Sequence, residues 1–144
     1  MGPWHEIGRL VQGGREPSGL NFELLAAGTR APDWVVTGFG EYQKRLGGQW
    51  RLLLREIPTA KRSKNANTVG LKREEGDRML AALRSDVRLV ALDTCGSLLS
   101  TETLAEKCGQ WMLETGQVQL MIGGPDGLDG RCVDRADLVW SLSP

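Results

Sequence analysis

The sequence predicts an α/β fold, an open and mostly parallel sheet with helices on both faces, on three observations. Short apolar runs alternate with longer amphipathic ones from Leu20 onward, in the order β-α-β-α-β-α-β-α-β, and right-handed crossovers in such an order place helices on both faces. The run Val87-Arg88-Leu89-Val90-Ala91-Leu92 reads as a buried strand. The apolar run ending at Ile122 empties into Gly123-Gly124-Pro125-Asp126-Gly127, as a strand does on entering a tight turn at the carboxyl edge of a sheet.

Residues 1–19 hold five glycines, two prolines and no sustained period, and read as a flexible extension outside the fold. Leu20 to Ala27 is the first strand. Gly28 to Asp33 is a turn, with Asp33 placed to cap a helix starting at Trp34. In that helix Trp34, Val35, Gly38, Tyr42 and Leu46 share one face, while Glu41, Lys44 and Arg45 face water. Trp50 to Ile57 is the second strand, ended by Pro58. A polar loop without acidic residues, Thr59 to Asn67, leads to a helix from Val69 to Arg84 with a stripe of Leu71, Glu75, Met79, Ala82 and Leu83. The strand Val87–Leu92 is closed by Asp93. The next helix begins near Thr101, with a capping box of Thr103 and Glu106 and an apolar face of Leu104, Cys108 and Trp111. Val118 to Ile122 is the fourth strand, Asp129 caps a short helix over Arg131–Ala136, and Asp137 to Leu142 is the fifth strand. No internal repeat is present.

At 144 residues the chain accommodates one domain with a real core. Its 40% hydrophobic and 25% charged residues match an ordinary globular protein rather than a disordered one. No apolar run approaches the roughly 20 residues of a membrane helix. The amino terminus lacks the layout of a signal peptide, which makes a cytoplasmic location the expectation. Cys95, Cys108 and Cys132 are odd in number and show no Cys-x-x-Cys spacing, against a disulfide framework or a zinc site. The net charge of zero conceals a split: residues 1–73 carry 12 basic and 6 acidic side chains, residues 74–144 carry 6 and 12. Such a split hints at a face for a polyanion, although the two halves are expected to interleave in the sheet.

Two constellations could carry chemistry. The glycine loop lacks both the Gly-x-Gly-x-x-Gly of a dinucleotide site and the Gly-Lys-Ser/Thr of a phosphate loop, so neither NAD nor ATP is indicated. It reads equally as a small-ligand site, beside the loop after Leu92-Asp93, or as a structural turn. The basic loop Lys61-Arg62-Ser63-Lys64-Asn65 suits phosphate contacts, against the commoner reading of a solvated loop. The single histidine, His5, lies in the extension, so a serine or cysteine nucleophile would lack an ordered base. Asp93, Asp126 and Asp129 fall at strand exits, where acidic residues usually cap turns and helices. The five tryptophans are scattered and suit core edges or an interface.

Several separated motifs together carry a resemblance. They are Ala27-Gly28-Thr29-Arg30-Ala31-Pro32-Asp33-Trp34, Gly38-Phe39-x-Glu41-Tyr42, Glu56-Ile57-Pro58 with Lys61-Arg62-x-Lys64-Asn65, Leu92-Asp93, Leu120 to Leu128, and Trp140-Ser141-Leu142-Ser143. In this order they resemble the RlmH family, the SPOUT-class methyltransferases of pseudouridine N3 in large-subunit ribosomal RNA. The resemblance implies a SPOUT-type sheet with a C-terminal trefoil knot, a homodimer, and S-adenosylmethionine as methyl donor. Carried over, the cofactor-binding positions are Leu92 after the third strand, Gly123 and Gly124 after the fourth, and Ser141, Leu142 and Ser143 after the fifth. Lys61, Arg62, Lys64 and Asn65 become the expected contacts to 23S rRNA, and no metal is implied.

The sequence departs from the family after Pro144. Members continue through a Leu-Pro-His segment, a long helix and a terminal Pro-Tyr-His-Arg that threads the knot and holds the family's C-terminal His, Tyr and Arg groups. The domain at 20–144 is therefore expected to lack its knot segment, and no catalytic residue is assigned. If the absent part buries roughly 400–600 Å² of apolar surface, its loss forfeits on the order of 10–15 kcal/mol at most, against a whole-domain stability of about 5–15 kcal/mol. Negligible methyl transfer is the expectation for this chain. The alternative is a non-catalytic RNA-binding or dimerising remnant; a Rossmann-like nucleotide enzyme lacks its fingerprint.

Overall fold

The computed structural model describes residues 19–28, 30–59 and 67–144. The strands are β1 (Leu20–Ala27), β2 (Trp50–Ile57), β3 (Arg88–Leu98), β4 (Gln117–Ile122) and β5 (Leu138–Ser141). The helices are α1 (Asp33–Arg45), α2 (Thr68–Ala81), α3 (Thr101–Glu114) and α4 (Gly130–Arg135). The sheet runs β2-β1-β4-β3-β5 with every pairing parallel, as the alternation of strands and helices requires. β4 is central, and its Leu120 stands between Leu24 of β1 and Val90 of β3.

Successive side chains on each strand point to opposite faces, so the sheet builds two cores. Leu25, Ile57, Ala91 and Met121 pack on one face with Met79 and Ala82 and with Cys132 of α4. Leu20, Val90 and Val118 pack on the other with Cys108, Trp111 and Met112 of α3. Phe22 stacks on Trp50 and meets Trp111 edge-on at 6.3 Å. The crossovers through α1 and α3 step toward the β2 side of the sheet, and those through α2 and α4 step toward β5. A single handedness then assigns each pair of helices its own face.

Several element details differ from the sequence expectations. α1 begins at Asp33, not Trp34, and its N-cap is Pro32, with no side-chain cap. Pro32 enters in an extended conformation and its carbonyl accepts from both Val35 and Val36, so Asp33 sits in the first turn, where its charge favours the helix dipole. The expected apolar face of α1 is not buried: Trp34 is 77% and Tyr42 65% exposed, and only Val35, Gly38 and Leu46 of that set are half-buried. α1 rests mainly on the edge strand β2, which leaves most of its circumference to solvent. α2 spans Thr68–Ala81 with Asn67 as cap, shorter than expected because residues beyond Ala82 turn away. Ser100, rather than a Thr103–Glu106 box, caps α3: its hydroxyl accepts from the Thr103 amide at 3.1 Å, since Thr103 already lies inside the helix.

Asp93 does not close β3. Leu92 and Ser97 both pair with Trp140, so Asp93–Gly96 arch out before pairing resumes at Ser97. The Asp93 carboxylate accepts from the Cys95 amide at 2.8 Å, and so turns the chain without ending the strand. A Cβ on Gly96 would lie 2.7 Å from the Trp140 backbone, which makes glycine the residue that lets the arch return to β5. β5 itself is shorter than expected, at Leu138–Ser141. Within the sheet, the strands of the two charge halves do not interleave, although Arg73 of α2 meets Arg131 of the other half. Strands from residues 1–73 form the β2-β1 side and those from residues 74–144 the β4-β3-β5 side.

One buried polar side chain fastens this arrangement. Gln119 of β4 is 0% exposed. Its amide oxygen accepts from the Arg84 amide at 2.9 Å, and its nitrogen donates to the Glu23 carboxylate at 2.9 Å and the Ala82 carbonyl at 3.1 Å. It therefore ties β4 to β1 and to the end of α2, which would otherwise leave an amide and a carbonyl unmet in a dry region. Gln119→Leu is expected to lower stability by about 2–4 kcal/mol, because the partners lose their hydrogen bonds without gaining water; urea unfolding of the two proteins measures it.

Candidate active site

All strands are parallel, so every loop that follows a strand emerges on one edge of the sheet. The register places Leu92 beside Ile122 of β4 and beside Trp140 of β5. Gly123 therefore begins directly past one neighbour and Ser141 directly past the other. Adjacent strands lie about 4.8 Å apart, so the expected cofactor positions Gly123, Gly124, Ser141, Leu142 and Ser143 fall at or past the ends of β4 and β5, beside Leu92, which lies within β3 where the chain begins to arch away. Ser141 is buried and its Oγ donates to the Ser143 carbonyl at 2.7 Å, while Leu142 and Ser143 are exposed. Lys61, Arg62, Lys64 and Asn65 lie outside the described residues. The strand before them, β2, ends on this same edge, and Arg78 of α2 donates to the Pro58 carbonyl at 2.7 Å there.

The glycine turn is packed against itself. The Gly127 amide donates to the Gly124 carbonyl at 2.9 Å, with Pro125 at the second position of the turn and Gly127 at φ +82°. A Cβ on Gly123 would lie 2.5 Å from the Gly127 carbonyl carbon and 2.6 Å from the Leu128 nitrogen. Gly123 is thus required by the returning chain of the turn itself, a structural demand that the ligand reading of the sequence did not include. A Cβ on Gly124 would lie 3.1 Å from Oε2 of Glu75. Gly123→Ala is expected to force the turn open and cost about 2–4 kcal/mol as an overpacking substitution, read as a fall in Tm.

Below the turn a cluster of charged groups joins α2 to α4. Asp129 caps α4, as expected: its Oδ1 accepts from the Arg131 amide at 2.8 Å, and its Oδ2 pairs with the Arg131 guanidinium at 2.8 Å. Arg131 also pairs with Asp77 at 2.9 Å and donates to the Arg73 carbonyl at 3.1 Å. The Arg131 side-chain hydrogen bond holds the Asp129 carboxyl below its ordinary value of 3.8, helped by the Arg131 amide. Gly76 is glycine because a Cβ there would strike the Asp129 carboxylate. Sequence reasoning did not foresee this cluster. One signal was present for Glu75, a carboxylate on the apolar stripe of α2, which the structure buries to 5% exposure.

Nucleophilic and metal chemistry find no support among the described residues. Burial pushes the Cys108 thiol up to about 12 and that of Cys132 to about 11, so both are neutral core side chains near pH 7. No group of three His, Cys, Asp or Glu side chains is placed to hold a metal ion. Among the described residues no helix is long and apolar enough to cross a membrane. The arrangement is that of a binding edge: the ends of β4 and β5 beside the arch of β3, one tightly packed turn, and carboxylates beneath it. Such an edge fits a small ligand held largely by main-chain groups.

The comparisons with known proteins place this fold in one class. The family model described as predicted SPOUT methyltransferase matches residues 20–144, and the chain belongs to that family, whose members transfer a methyl group from a methyl donor. Among similar proteins, one from Saccharophagus degradans named ribosomal RNA large subunit methyltransferase H is 46% identical over 124 residues, covering 86% of this chain and 80% of that protein. Proteins of the same name from a Marinomonas species and from Thioalkalivibrio sulfidiphilus are each 44% identical, over 86% and 87% of this chain and 80% of each relative.

Asp129 also yields a pH prediction. A carboxylate held below its unfolded value contributes stability that is complete above that value and is lost as pH falls through the folded one. Asp129→Asn keeps a capping side chain but removes the charge. The stability gap between the wild type and this variant is expected to be full at pH 7 and to close as pH drops below 3.8, measured by thermal unfolding at a series of pH values.

Proposed function

We propose that the protein methylates N3 of a pseudouridine in 23S rRNA, with S-adenosylmethionine as donor, at the carboxyl edge of β4-β3-β5. The observation that carries this reading is the identity of 44–46% with proteins named ribosomal RNA large subunit methyltransferase H over 86–87% of this chain. The order of the strand ends supports it, because the family-derived positions Leu92, Gly123, Gly124, Ser141, Leu142 and Ser143 fall on three neighbouring strands. Lys61, Arg62, Lys64 and Asn65 are the rRNA contacts in this reading. The enzyme acts in the cytoplasm and as a homodimer.

The bound donor supplies an electrophilic methyl on a sulfonium. The chain's part is to hold ligand and base in line. Backbone amides and carbonyls of a tightly packed turn fix one partner at low entropic cost, and such positioning supplies most of the rate when the nucleophile is a weakly acidic ring nitrogen. N3 gives up its proton as the methyl arrives. Incubating the protein with isolated large ribosomal subunits and methyl-labelled S-adenosylmethionine sets this reading against the negligible transfer expected from the sequence: the reading requires label in one pseudouridine, located by mass spectrometry of nuclease fragments. Label at another nucleotide, or none above background, overturns the reading.

A further inference from the structure

Glu75 is a buried carboxylate that neither the fold nor the proposed chemistry has used. It projects from α2 into a cavity of about 10 Å³, room for one water, lined also by Gly123, Gly127, Leu128 and Asp129. It is 5% exposed, and among the described residues it makes no hydrogen bond or ion pair. No fully enclosed side-chain oxygen there lacks a partner, so the Glu75 oxygens open on the cavity and are not sealed into protein. Both face the backbone of the glycine turn, at 3.1 and 3.5 Å from where a Cβ on Gly124 would stand.

The surrounding charges leave Glu75 unbalanced. Asp129, the other acidic group lining the cavity, is neutralised by Arg131, and Arg131 is shared further with Asp77. Asp126, on the turn, has the same sign as Glu75. Lys72 and Arg73 line a neighbouring cleft with Val69, Asp129, Gly130 and Arg131, on the far side of Asp129 from Glu75, and no ion pair joins either of them to Glu75 among the described residues. A buried, unpaired carboxylate is costly unless something of opposite charge completes it. The underside of the turn therefore carries an unbalanced negative charge that a cationic ligand would offset.

We propose that Glu75 sets the charge selectivity of the donor site, favouring the sulfonium form of the ligand over the neutral thioether. This rests on the reading of the β4-β3-β5 edge as the methyl-donor site. Transfer breaks the sulfur–methyl bond, leaves its electron pair on sulfur and forms the nitrogen–methyl bond, while the N3 proton passes to solvent. The ligand loses one positive charge in that step. A fixed carboxylate beneath the turn thus holds the donor before transfer and weakens the hold on the product afterwards. Glu75 is a specificity-determining residue in this role.

The test is titration of the full chain, followed by NMR so that weak binding is also read, with S-adenosylmethionine and with S-adenosylhomocysteine. The wild type is expected to prefer the sulfonium by roughly tenfold, the scale of one partly screened charge pair. Glu75→Gln is expected to abolish that preference while keeping thioether affinity within about twofold, and Glu75→Asp, which retains the charge, to preserve it. If both ligands bind and the ratio is unchanged in Glu75→Gln, the inference falls and the site reading stands. If the wild type binds neither ligand, the site reading falls and takes the inference with it. Should Glu75→Gln fail to fold, loss of the preference in Glu75→Asp overturns the inference and its retention supports it.

Discussion

Because β4 hydrogen-bonds to β1 on one side and to β3 on the other, its register fixes the position of everything at the carboxyl edge. A slip of one residue would turn Met121 out of one core and Leu120 out of the other. The Gln119 amide would lose Glu23, Ala82 and Arg84 in the same movement. The penalty therefore comes from both faces and from a buried polar network at once. Gly123 begins where that pinned strand ends, so the turn inherits a position that no loop contact has to supply.

The same constraint explains why the glycines have two meanings. The sequence suggests that Gly123 and Gly124 bring backbone close to a ligand, and the structure shows a prior use. Gly123 makes room for the returning chain of the turn, and Gly124 makes room for the Glu75 carboxylate. These demands stiffen the turn before any ligand arrives. A site whose groups are held in place by packing loses little entropy on binding, so a glycine set by packing also serves recognition.

Much of the fold was legible because its signals are local and repeated. Buried runs such as Val87–Leu92, caps such as Asp129, and the alternation of strand with helix each announce themselves in a few residues. What escaped depends on partners distant in sequence. The arch at Asp93–Gly96 exists because β5, some forty positions on, pairs with Leu92 and again with Ser97. The exposure of Trp34 and Tyr42 follows from α1 lying over an edge strand, which no periodicity within the helix reveals. Arg131 reaches Asp77 and Arg73 across two helices. Of the site, the strand ends were readable from motifs, whereas Glu75 was visible only as a misfit on an apolar stripe.

The charge split gains a spatial meaning from the strand order. With β2 and β1 on one side and β4, β3 and β5 on the other, the strands of the more basic half of the sequence and those of the more acidic half lie side by side and meet where β1 pairs with β4. The two substrates of the proposed reaction differ in the same sense: RNA is a polyanion, and the sulfonium donor carries net positive charge. A field that is positive over one half and negative over the other would draw each toward its own side. The connections from β1 and β4 depart in opposite directions across the sheet, which makes their junction the crevice where open sheets take ligands. Electrostatics and topology thus converge on one boundary, and Glu75 stands on its acidic side.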